Sequence, residues 1–238
     1  MLFRSLPQNF HADGALAGND IDGGSMILMI WIYSMRGGWW FAIGFVLLLF
    51  VHECGHLIAA KRLGLPVSAP IFIPFMGAFI ALKEAPKNAW VEAQVGIGGP
   101  LLGSAGAVVC YGIYVVTGRQ VFSDLAYMGF FLNLFNLAPI GFLDGGRIVT
   151  ALSPWLWLVG TGVMVAMLFV HFNFIVLLIL IMSIPRLISL FRKKTEEEKR
   201  YFEVTPGQRL TMGVLYFGLA AALALGMKII FQAEQARG

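Results

Sequence analysis

The sequence predicts an all-α polytopic membrane protein with about six transmembrane helices and a re-entrant β-hairpin. Three observations lead there. Of 238 residues, 58% are hydrophobic and only 13% charged, against about 25% charged residues in an ordinary soluble domain. Several apolar runs approach or exceed the ~20 residues that cross a bilayer. One further apolar stretch is broken by prolines and rich in β-branched and aromatic residues, which suits strands. A mean hydropathy of +0.79 excludes the soluble cytosolic and secreted classes.

The basic excess, a net charge of +4, sits between apolar runs. Orientation in a lipid bilayer explains it, and no nucleic-acid partner is expected. Cys54 and Cys110 both fall inside predicted spans, so no disulfide framework is expected.

Residues 1–24 are polar and rich in Gly, Asp and Asn, and read as a flexible tail rather than a cleavable signal. Residues 25–35 are apolar but too short to span alone; with Arg36-Gly37-Gly38 behind them they suit a hairpin arm or an interfacial segment. A helix from Trp39 to about Leu63 comes next, anchored by Trp39 and Trp40 and stopped at Gly64. In 65–90, Pro66, Pro70, Pro74 and Gly77 forbid one regular helix. Ile71-Phe72-Ile73 and Phe79-Ile80 favour strands around a 74–77 turn. At membrane depth such backbone must be covered by protein or line a wet cavity, as a re-entrant hairpin would; an interfacial loop fits the composition equally. Residues 91–117 form the next span, with Gly99, Gly103 and Ala107 baring one face for close packing. Further spans cover 121–138, two segments meeting near His171 within 155–190, and about 210–231, after a basic loop at 191–209. The chain thus divides into the tail (1–24), a membrane core (25–150) and additional C-terminal helices (151–238).

Charge asymmetry orients these spans. With the Lys61-Arg62 end cytoplasmic, that side collects Lys61, Arg62, Lys83, Lys87, Arg147, Arg186 and the six basic residues of 192–209. The opposite side holds Arg36, Arg119, Lys228 and Arg237. Twelve against four is a positive-inside bias.

His52-Glu53-Cys54-Gly55-His56 matches H-E-x-x-H. Residues four apart share a helix face, so both imidazoles can grip one Zn²⁺ while Glu53 stands close enough to take a proton from water at the metal. A pair of histidines merely satisfied by neighbours is the plainer reading, and it suits His11 and His171. Ionisable groups inside a span, however, are costly and functional by default.

A catalytic zinc takes a third protein ligand and keeps one open position. Glu84 and Glu92 lie at suitable sequence distances. Glu84 sits in a Lys-containing loop, and Glu92 at a helix start, where the dipole favours an acid. Asp144 is the stronger candidate, since Pro139 and Gly141 break the helix before it and can turn a carboxylate inward; an Asp-Gly turn at the membrane surface is the alternative. Depth favours the ligand. His52 lies about 20 Å along its helix from Trp39, in the cytoplasmic half of a ~30 Å core. Asp144 also arrives near the cytoplasmic end.

On HECGH at 52–56, N-x-x-P-x-x-x-x-D-G-G at 136–146 and the glycine-rich GIGGP at 96–100, the sequence resembles the site-2 protease family of intramembrane zinc metalloproteases. The resemblance covers about 39–150. It implies one Zn²⁺ per chain held by His52, His56 and Asp144, with Glu53 as general base and Asn136 holding substrate or the developing oxyanion. The family's re-entrant hairpin would map to about 69–82, where an edge strand can bind an unwound substrate. Two departures stand out: Cys54 replaces the common leucine and should face away from the metal, and Gly99-Pro100 lacks the asparagine often found nearby. No stretch is long enough for the PDZ or CBS domains of many relatives, so a near-minimal core is expected.

The expected function is therefore intramembrane hydrolysis of a peptide bond in or near a transmembrane segment of a membrane-protein substrate. The expected location is multi-pass in the bilayer, with the active site in its cytoplasmic half. Two alternatives are an inactive protease-like protein that binds metal or client helices, and a metal or proton transporter. Glu53 argues against the first, and the absence of paired halves against the second.

Overall fold

A computed structural model describes residues 23–236 apart from 69, 74–76, 81 and 142. The expected tail at 1–24 lies almost wholly outside the described residues, and so does most of the 74–77 turn. The elements are α1 (Gly23–Arg62), β1 (Ile71–Ile73), β2 (Gly77–Phe79), α2 (Ala89–Thr117), α3 (Gln120–Asn136), α4 (Asp144–Leu152), α5 (Leu156–Val170), α6 (Phe174–Phe191), α7 (Glu196–Tyr201) and α8 (Pro206–Gln235).

The first helix is in fact a hairpin. Gly38 has φ 75° and ψ 161°, backbone that only glycine adopts without strain. The rings of Tyr33 and Phe45 sit 5.5 Å apart, whereas twelve residues of straight helix would separate them by about 18 Å. Met29 likewise packs with Val46 and Leu49. The chain therefore reverses at Gly38, and 25–35 forms a helical arm lying on the 39–62 arm.

Among the described residues, four helices are long and apolar enough to cross a membrane: α1, α2, α6 and α8. The expectation of about six needs this correction. It counted α3, whose 17 residues stop short at Asn136, and α5, whose 15 residues end at Val170. Apolar side chains cover much of the outer surface, as at Val116, Phe169 and Val170, and this fits a hydrocarbon surround.

β1 and β2 pair antiparallel with Ile71 opposite Phe79 and Phe72 opposite Ala78. A bridge between Val67 and Leu82 extends the ladder, and both strands pack against α1.

The main core is shared by α2, α3, α4 and α8, with Ile97, Ala126, Phe130, Ile148, Met212 and Leu223 buried together. Tyr216 of α8 donates its hydroxyl to the Leu137 carbonyl at 2.6 Å. α4 runs through residue 150, and α8 packs into the same core as α2 and α3.

Candidate metal centre

The HECGH residues lie on the second arm of α1, with His52, Glu53 and His56 all buried. The two Nε2 atoms are 3.2 Å apart. This pocket exists because α1 and α2 meet through glycine. A side chain at Gly55 would strike the Gly98 carbonyl, and one at Gly99 would occupy the space of the His56 imidazole. The Gly99-Gly103-Ala107 stripe lines the site in the same way: Gly103 leaves room for Asn133, and Ala107 faces Gly129 of α3. α2 continues through Pro100, and Ser104, one turn on, donates its hydroxyl to the Pro100 carbonyl.

Asp144 arrives on the first turn of α4. α3 ends at Asn136 and α4 begins at Asp144. The loop is held tightly, since side chains at Gly145 and Gly146 would strike the carbonyls of Leu137, Ala138 and Ile140. Asp144 Oδ2 then lies 3.1 Å from His52 Nε2 and 3.0 Å from His56 Nε2. Arg147, one turn on, stands 3.8 Å from the other carboxylate oxygen.

The remaining ring nitrogens decide what this trio can do. His56 Nδ1 is 2.8 Å from the Val95 carbonyl, which only accepts, so this nitrogen carries a proton. His52 Nδ1 is 2.8 Å from Asn133 Oδ1. The Asn133 amide nitrogen donates to the Gly129 carbonyl at 2.7 Å, and this fixes the amide's orientation and makes His52 Nδ1 the donor. With Nδ1 of each ring committed as a donor, the neutral imidazoles turn their Nε2 lone pairs toward each other and toward a carboxylate oxygen whenever Nε2 carries no proton. Three electron-pair donors 3.0–3.2 Å apart repel one another unless a metal cation or a shared proton lies among them. A tetrahedral site with bonds of ~2.0–2.1 Å has ligand edges of roughly 3.3 Å, close to what is found. The residues fit a metal with N₂O ligation, and hydrogen bonds to the outer nitrogens are the usual way such ligands are oriented.

Glu53 completes the cluster: one of its oxygens lies with a nitrogen of each histidine in a group spanning no more than 4.8 Å. Asn136 is half-buried one turn beyond Asn133, and its amide nitrogen donates to the Leu132 carbonyl at 3.0 Å. Cys54 is a half-buried free thiol. The weaker ligand candidates are accounted for otherwise. Glu84 is exposed. Glu92 is buried and saturated, with one oxygen on Arg186 and the other accepting from Tyr201 at 2.7 Å.

Sequence reasoning missed Asn133 and the Val95 carbonyl. The carbonyl has no sequence signal. Asn133 had one, as an amide inside the apolar run 128–135.

The model of peptidase family M50 matches residues 40–127, the stretch that carries the HECGH arm, α2 and the start of α3. Over this stretch the chain is similar to peptidase family M50. The M50 match ends before Asn133 and Asp144, so the third side of the trio rests on the distances between Asp144 and the two histidines. Among curated proteins the chain is similar to zinc metalloprotease MJ0392 of Methanocaldococcus jannaschii, with 27% identity over 53% of this chain and 39% of that protein. It is similar to the putative zinc metalloprotease Rip3 of Mycobacterium tuberculosis, with 30% identity over 57% and 34%. A third relative is the probable chloroplastic zinc metalloprotease EGY2 of Arabidopsis thaliana, with 27% identity over 46% and 27%. The chain thus spans well under half the length of these relatives.

Proposed function

We propose that this chain is a zinc metalloendopeptidase that hydrolyses a peptide bond within or near a transmembrane segment of a membrane-protein substrate. One observation carries the reading: His52, His56 and Asp144 converge through oriented lone pairs beside a buried glutamate, on helices with apolar outer surfaces. His52, His56 and Asp144 would hold one Zn²⁺. Zinc held there acidifies water and polarises a carbonyl.

The rest is the work of the chain itself. Glu53 takes a proton from the attacking water and passes it to the leaving amine. The Asn133 and Val95 contacts hold both imidazoles in the tautomer that keeps Nε2 free. Asn136, at the end of α3, is proposed to hold the substrate or the developing oxyanion, which requires its amide to leave Leu132. A substrate helix hides its carbonyls in hydrogen bonds, so it must unwind locally. The 71–79 hairpin, entering the membrane from one side, would offer a strand edge to the extended form. The basic bias of the Lys61-Arg62 side supports a site in the cytoplasmic half of the bilayer.

Glu53→Gln tests the reading. Zinc content should match wild type while cleavage of a single-pass membrane substrate in reconstituted vesicles falls by about 10²–10⁴-fold. Undiminished cleavage by this variant would sink the proposed base.

A further inference from the structure

We propose that Arg186, on α6 and outside the family-matched stretch, is a positioning residue for the metal centre, acting through the Asp144 loop and α2. The inference rests on the metalloprotease reading and extends its machinery into the C-terminal helices.

Arg186 touches three things, and each leads to a ligand. Its Nη2 pairs with the Glu92 carboxylate. Glu92 is one turn before Val95, whose carbonyl orients His56, and before Gly96, which lies against the Asp144 carbonyl and the side chains of Arg147 and Ile148. The guanidinium also sits 5.3 Å from the centre of the Trp157 ring, whose indole N–H donates to the Gly146 carbonyl at 2.8 Å, two residues after Asp144. Its aliphatic stem lies against Gly141, where a side chain would collide with it. Ile140 and Leu143 of the same loop are buried with Met164 of α5 and Ile179 of α6.

The chemistry suits the task. A buried carboxylate without a partner is costly, so Glu92 holds Arg186 strongly. The planar guanidinium can pair with a carboxylate edge-on while facing an aromatic ring, which lysine cannot do. Arg186 Nη1 is buried with no hydrogen-bond acceptor among the described residues, as expected where a ring is one of its neighbours. Tyr201 of α7 secures the other oxygen of Glu92. Burial, then the Glu92 charge, pushes the Tyr201 phenol well above its ordinary value, so it stays a donor at working pH.

The test compares wild type, Arg186→Met and Arg186→Lys as full chains in detergent, loaded with cobalt(II). Readouts are the cobalt d–d absorption, the rate of cobalt release to a chelator, and thermal unfolding as a control. The expected result is an altered d–d band and about tenfold faster release from Arg186→Met, with Arg186→Lys in between. A wild-type band and release rate in Arg186→Met, even with a lower Tm, would show a merely structural role and overturn the proposal. Should Arg186→Met fail to fold, Arg186→Lys decides: faster release supports the proposal and wild-type release overturns it. If wild type itself binds no cobalt, the metal-site reading fails first and takes this one with it.

Discussion

Asn133 Oδ1 accepts the Nδ1 proton of His52 at 2.8 Å across 81 residues of chain. This contact, with the Asn133 amide locked on Gly129, frees the other histidine nitrogen for metal. Asn133→Ala should leave a buried N–H unpaired, which costs about 1–3 kcal/mol. Metal affinity should fall about 10–100-fold, read by competition with a chromogenic chelator. Unchanged affinity would remove Asn133 from the site.

The close crossing of α1 and α2 gives a second expectation. Gly55→Ala forces the new methyl onto the Gly98 carbonyl, backbone that cannot step aside, and should destabilise by about 1–3 kcal/mol. Gly112→Ala, on the same α2 but with nothing near it, should be neutral or stabilising by up to ~1 kcal/mol. Thermal unfolding in one detergent separates the two; equal effects would contradict the crossing.

A third concerns the loop between α6 and α8. Thr195 and Glu198 form a reciprocal cap on α7. The Thr195 backbone N–H, then the charge of Arg192, holds the Glu198 carboxyl below its ordinary 4.5. A carboxylate with a lowered folded pKa contributes stability above its unfolded value and loses it as pH falls through the lowered one. Hydrogen exchange at α7 should therefore stay slow at neutral pH and quicken below about pH 4, beyond the intrinsic trend. Glu198→Gln should abolish that pH dependence. A variant that keeps it would show that another group is responsible.

How much of this was legible depends on range. The HECGH face follows from the helical period alone, a local rule, so His52, Glu53 and His56 could be grouped from five letters. Asp144 was reachable because Pro139 and Gly141 announce a break and the depths of two segments can be compared. The hairpin at Gly38 was half legible: Gly37-Gly38 permitted it, but only the Tyr33–Phe45 contact chooses it. Asn133 and Arg186 were not found, because their partners lie 81 and 94 residues away and no period links them. Glu92 shows the same limit. Its place at a helix start was explained by the dipole, while its burial under Arg186 and Tyr201 is a tertiary fact. The span count ran high because hydropathy does not show where α3 and α5 stop.

Zinc content by mass spectrometry of purified wild type, His56→Ala and Asp144→Ala is the most direct test of the central claim. The account predicts one zinc per wild-type chain, and little or none in either variant after mild chelator washing, with helix content preserved. Stoichiometric zinc retained in both variants would contradict it.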